Sequence, residues 1–111
     1  MTLTHQQQSG IDLVELPQRL IMANASDARS DLKNIIEQGD GRLVIDLSAT
    51  EYMDSSGLAA IVSALQAART KNGDVYLAGM NDTLRALFEL TQLHKICQIF
   101  DDTETAVAAF S

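Results

Sequence analysis

At 111 residues, with 46% hydrophobic and 21% charged side chains, the chain has the size and make-up of one ordinary soluble globular domain. Fifteen acidic against eight basic residues leave a net charge of −7 and no basic cluster, which argues against binding to nucleic acid or an anionic membrane. A single cysteine, Cys97, supplies neither a disulfide framework nor a metal constellation, and no apolar run approaches the roughly 20 residues of a membrane helix.

Residues 1–10 read as a polar N-terminal tail and residues 11–111 as one domain, with no repeat or linker between them. The tail lacks the basic start and apolar middle of a signal peptide, so cytoplasm is the expected location. Ile11, Leu13 and Leu16 suggest a first strand, limited by Pro17, which has no N–H for a sheet ladder. Residues 20–22 suggest a short second strand, so that the two form an edge hairpin or bend. Asn24 is a suitable helix N-cap, and Asp27 suits the positive helix start. Ala25, Ala28, Leu32, Ile35 and Ile36 follow helical spacing up to Gly39, placed as a C′ glycine.

Residues 43–47, rich in β-branched side chains after Asp40-Gly41, read as a central strand. A second helix runs from about Ser56 to about Thr70, with Leu58, Ile61, Val62, Leu65 and Ala68 on one face, and Lys71-Asn72-Gly73 stops it. Residues 74–78 form the next strand. A third helix starts at Asn81 or Asp82 and sets Leu84, Leu87, Phe88 and Thr91 on one side. Residues 96–100 read as the last strand, and Asp101 or Asp102 caps a short closing helix. Strands alternating with helices imply an α/β fold: a mixed central β-sheet of four to five strands with about four α-helices and right-handed crossovers.

Ligand and partner sites in such folds lie beyond the carboxyl ends of the strands. The stretch Asp54-Ser55-Ser56-Gly57 lies there, between the central strand and the second helix. Its plainest role is a cap: Asp54 or Ser55 can accept from the orphan N–H groups of the helix start, while Gly57 allows close backbone approach. A catalytic serine fits poorly. Residue 53 is Met where a nucleophile elbow needs Gly, and the two histidines are His5 in the tail and His94 beside Lys95. Nucleotide-binding glycine loops are absent, and no cofactor is expected. A third role is a switch, because phosphate on a serine here gains the helix dipole and free N–H groups while adding about −1.5 to −2 charge beside Asp54.

The run from Leu43 to Leu58, which contains Asp46-Leu47 and Asp54-Ser55-Ser56-Gly57-Leu58, resembles the signature of STAS domains, the bacterial anti-sigma-factor antagonist family. The likeness extends through the alanine-rich helix, Asn72-Gly73, Leu77-Ala78-Gly79, the segment from Leu84 to Thr91, and Ile99-Phe100-Asp101, so that residues 11–111 read as a STAS domain. The resemblance implies a non-enzymatic antagonist. Unphosphorylated, it binds an anti-sigma factor that is also a serine kinase of histidine-kinase-like ATPase fold, and a metal-dependent serine phosphatase restores it after phosphorylation. Ser55 is then the phosphoacceptor, Asp54 shapes its loop, Ser56 and Gly57 form the turn, and Leu58 anchors the helix. The family's common Gly-Glu-Leu-Asp turn is here Pro17-Gln18-Arg19-Leu20. The competing expectation is an unswitched adaptor in a transport or sensory complex, docking through the alanine-rich second helix.

Overall fold

The computed structural model describes residues 3–110. In chain order it holds β1 (Thr4–Gln8), β2 (Ile11–Glu15), β3 (Arg19–Leu20), α1 (Met22–Gln38), β4 (Arg42–Asp46), β5 (Tyr52–Met53), α2 (Ser55–Thr70), β6 (Asp74–Ala78), α3 (Asp82–Leu90), a 3-10 turn (Leu93–Lys95), β7 (Gln98–Phe100) and α4 (Thr103–Ala109). The main sheet has the order β1-β2-β4-β6-β7. Only β1 is antiparallel to its neighbour, so the sheet is mixed, as the alternation of elements implies. β3 and β5 form a separate two-residue parallel pair, Arg19 beside Tyr52 and Leu20 beside Met53.

Strand alternation divides the core into two layers. Val14, Leu43, Ile45, Val75 and Leu77 point to one face, where Leu32 and Ile36 of α1, Ile61 and Leu65 of α2, and Leu84 and Phe88 of α3 cover them. Ile11, Val44 and Ala78 point to the other face, covered by Ala106 of α4, with Phe110 stacked on Tyr76 at 3.9 Å between ring centroids. Each fully buried Leu, Ile or Phe on these faces contributes about 1.5–3 kcal/mol relative to exposure.

The N-terminal segment departs from expectation. Residues 4–8 form an edge strand rather than a loose tail, and the hairpin lies between β1 and β2, through Ser9 and Gly10 at positive φ. Two features tie this segment to the domain: Leu3, just before β1, joins the main core, and β1 faces a buried acid. Asp12 is 2% exposed, and β1 brings it His5 Nε2 at 2.8 Å and Gln7 Nε2 at 3.4 Å. A carboxylate held out of water needs such partners, and β1 supplies them in addition to its ladder.

α1 starts three residues earlier than its polar signals suggest. Asn24 lies within its first turn, not at the cap: its Oδ1 accepts from the Ile21 N–H at 2.9 Å and its Nδ2 donates to the Arg19 carbonyl at 2.8 Å. Residues 20–22 do not form one strand, because Met22 already belongs to the helix. At the other end Gly39 is extended rather than left-handed. Lys71 Nζ, from the far end of α2, donates to the carbonyls of Ile36, Glu37 and Gly39 at 3.0, 3.1 and 2.6 Å. The last strand is shorter than its apolar run: Ile96 and Cys97 donate their N–H groups to the Leu93 carbonyl in the preceding turn.

Candidate functional site

The chain leaves β4 at Asp46, whose Oδ1 accepts from the Ser48 N–H at 2.9 Å and so bends the backbone away from the sheet. Thr50, 1% exposed, anchors the loop by donating its hydroxyl to the Pro17 carbonyl at 2.8 Å. β5 then sets Asp54 against β3, with the Asp54 N–H donating to the Leu20 carbonyl at 3.2 Å. α2 begins at the next residue.

Asp54 is the N-cap of α2. Its Oδ1 accepts from the Ser56 and Gly57 N–H groups at 2.9 and 3.1 Å. Its Oδ2 accepts at 3.0 Å from the Met22 N–H, the first helical donor of α1. One carboxylate therefore serves two helix starts, both of which favour negative charge. Desolvation pushes its pKa upward, but the backbone donors of Gly57, Met22 and Ser56 outweigh this and hold the carboxyl below its ordinary value. Gly57 is buried against β3 and β5. A Cβ there would lie 2.6 Å from the Leu20 carbonyl oxygen and 2.5 Å from Met53 Cγ, so only glycine lets the first turn of α2 seat this closely.

The five residues singled out in the sequence divide by what they face. Ser55 is exposed at the first helical position, and no described residue hydrogen-bonds its hydroxyl. It stands on the rim of an open groove of about 590 Å³ between the start of α2 and α3. Asp54 and Leu58 also line this groove, with Tyr52, Leu87 and Leu90 among the residues opposite and beside them. Ser56 turns the other way, into a smaller hollow of about 260 Å³ shared with Met22, Ala25, Ser26 and Arg29. Leu58 joins the core, and Gly57 presents no side chain at all.

Sequence reasoning missed the far wall of the groove. Leu90 is 82% exposed and Tyr52 is 49% exposed, unusual values for large apolar side chains flanking one serine. Leu90 falls outside the stripe of α3 that Leu84 and Phe88 bury, and that offset was the available signal. The Pro17-Gln18-Arg19-Leu20 segment runs along the same edge. Arg19 lies over the Tyr52 ring at 5.5 Å, and Gln18 Nε2 donates to Glu51 Oε2 at 2.7 Å.

Chemically, the site offers an accessible hydroxyl, a deprotonated neighbour and an apolar surface. His5 is engaged with Asp12, and the His94 ring lies 3.3 Å from the Phe88 carbonyl, lining a different groove. Among the described residues no group of three or more His, Cys, Asp or Glu side chains is arranged to hold a metal ion. Among the described residues no helix is long and apolar enough to cross a membrane.

The family model of the STAS domain matches residues 2–106. The chain belongs to the STAS domain family. Its relatives include BtrV of Bordetella bronchiseptica, described as a candidate anti-sigma factor antagonist, 27% identical over 110 residues that cover 99% of this chain and 95% of that protein. The anti-sigma-B factor antagonist of Listeria monocytogenes is 42% identical over 57 residues, 51% of this chain and about half (50%) of that protein. Among solved structures, the phosphorylated form of SpoIIAA, a cell fate determinant of Bacillus, superposes with a TM-score of 0.77 at 16% identity, covering 99% of this chain and 100% of that one. At that identity the likeness is one of fold.

Proposed function

We propose that this STAS domain is an anti-sigma factor antagonist governed by phosphorylation of Ser55. Unmodified, it binds an anti-sigma factor that is itself a serine kinase with a histidine-kinase-like ATPase fold. Phosphorylation of Ser55 releases that partner, and a metal-dependent serine phosphatase restores the binding form, all in the cytoplasm. The observation that carries this reading is the position of Ser55: an exposed hydroxyl, free of hydrogen bonds from described residues, on the rim of an apolar groove and beside an ionised Asp54. The names of the relatives support the antagonist role, and the fold shared with a protein solved in phosphorylated form supports the modification.

The physical basis of release is local. A phosphoserine carries about −1.5 to −2 charge and holds a tight hydration shell. On the groove rim it opposes the desolvation that docking over Leu58, Leu87 and Leu90 requires, and it crowds the Asp54 carboxylate. In isolation the domain tolerates it, because the start of α2 favours an anion. One group thus weakens an interface without unfolding the protein. Asp54, Ser56, Gly57 and Leu58 serve in this scheme as loop, turn and anchor for the acceptor.

The test is affinity purification of the protein from its own cells, with mass spectrometry of Ser55 and of the co-eluting chains. Phosphate on Ser55 together with an ATPase-fold kinase is the expected result. Unmodified Ser55 together with a transporter or sensory complex would replace the switch with an unswitched adaptor.

A further inference from the structure

Ile21, the residue that precedes α1, has no side chain able to cap it, and the Met22 N–H is satisfied by a carboxylate 32 residues away. That carboxylate, Asp54, is at the same time the cap of α2 and the immediate neighbour of Ser55. We infer that Asp54 couples the state of Ser55 to the start of α1, so that phosphorylation alters a second face of the domain, the hollow between α1 and α2, as well as the groove beside α3. The inference rests on the reading of Ser55 as a phosphoacceptor and extends it to a region no motif marks.

The steps are electrostatic and steric. A phosphate on Ser55 is drawn to the N–H groups of the first turn of α2, the donors that Asp54 Oδ1 now occupies. Two anions competing for one helix start repel each other, and the weaker competitor is the singly charged carboxylate. Displacing or rotating that carboxylate breaks the bond from Oδ2 to the Met22 N–H, because both oxygens belong to one planar group. α1 then loses the donor–acceptor pair that holds its first turn to the α2 loop. Met22, 77% exposed, and its neighbours Ala25, Ser26 and Arg29 wall the hollow into which Ser56 points. Loosening of Met22 changes the shape of that hollow.

One substitution isolates the tie. Asparagine caps a helix as well as aspartate does, and in Asp54→Asn the Oδ1 can still accept from Ser56 and Gly57. The Nδ2 cannot accept from Met22. The experiment compares four proteins by amide NMR: unmodified, carrying phosphoserine at position 55 installed during synthesis, Asp54→Asn, and Asp54→Asn with phosphoserine 55. Genetic installation makes the result independent of whether a kinase exists. The Met22 amide proton should shift upfield and exchange faster by roughly two- to tenfold, the range one net hydrogen bond commands. It should do so on phosphorylation and equally on Asp54→Asn. In the doubly altered protein the phosphate should add no further change at Met22, as a cycle over one shared interaction requires. A Met22 amide that ignores the phosphate, or that responds to it equally in the Asp54→Asn background, overturns the coupling. Either outcome is separate from the antagonist reading, which fails if the phosphoprotein and the unmodified protein bind the partner alike.

Discussion

Two grooves of the same volume, about 590 Å³ each, flank α3, and they differ in what they leave unsatisfied. The groove on the far side is lined by Arg69, Arg85, Glu89, His94 and Lys95, and it looks the more chemical of the two. Its arginines are nevertheless spoken for. Arg69 donates to the Ile96 carbonyl at 2.6 Å and pairs with Asp74 at 3.4 Å, and Arg85 pairs with Asp101 at 2.7 Å. The groove beside Ser55 holds few polar atoms, but its apolar wall carries the exposed Leu90, and the exposed Ser55 hydroxyl on its rim has no partner among the described residues. Size and charge do not distinguish a docking surface here. The proposed docking surface is set apart by uncovered apolar area beside the proposed phosphoacceptor.

The largest effect that could break this contrast is expected at Leu90. Leu90→Asp places a charge on the apolar wall and should lower affinity for the isolated partner by about 2–4 kcal/mol, the range of an interface anchor, while leaving the circular dichroism spectrum intact. Unchanged binding in a calorimetric titration would move the interface elsewhere. Next comes Gly57→Ala, which forces a methyl against the Leu20 carbonyl. It should cost about 1–3 kcal/mol of folding stability in urea, as overpacking does, and should disturb Ser55 through the shifted turn.

Asp54→Ala removes both cap bonds of α2 and the tie to α1, and should lower the urea midpoint less than Gly57→Ala. The same carboxyl makes stability depend on pH. Its folded pKa lies below the ordinary carboxylate value, so the folded state binds that proton more weakly than the unfolded chain. Its contribution is complete above the ordinary value and is lost as pH falls through the lower folded value. Asp102, lowered by the backbone N–H and side chain of Thr105 at the start of α4, adds to the same acid loss. Carboxyl carbon NMR titration should place both midpoints below the ordinary aspartate value. The smallest effect belongs to the other groove: Arg85→Ala breaks an exposed pair and should change stability by less than about 0.5 kcal/mol and partner affinity not at all.

These contrasts also mark what the sequence could and could not disclose. α2 and its cap were legible because the apolar spacing of Leu58, Ile61 and Leu65 and the Asp-Ser-Ser-Gly start agree with each other. β1 was not legible. Its five residues are all exposed and carry no hydrophobic alternation, and what they contact, the buried Asp12, lies across the hairpin. The start of α1 was misplaced because one of its capping acceptors comes from Asp54, and a cap supplied in trans leaves no local signature. The β3–β5 pair is two residues long, below what periodicity can register. For the candidate site, the motif pointed to Ser55 but not to its setting, since Leu90 becomes a neighbour of the serine only once α3 packs beside α2.

The most direct test of the central claim is a calorimetric titration of the kinase partner with three forms of the protein: unmodified, Ser55→Ala, and phosphorylated at Ser55. Comparable affinity for the first two, with the phosphorylated form weaker by about 100-fold or more, is the result predicted from a dianion on an apolar docking rim. Equal affinity of all three, with each folded, would contradict it and leave Ser55 as part of a helix start and no more.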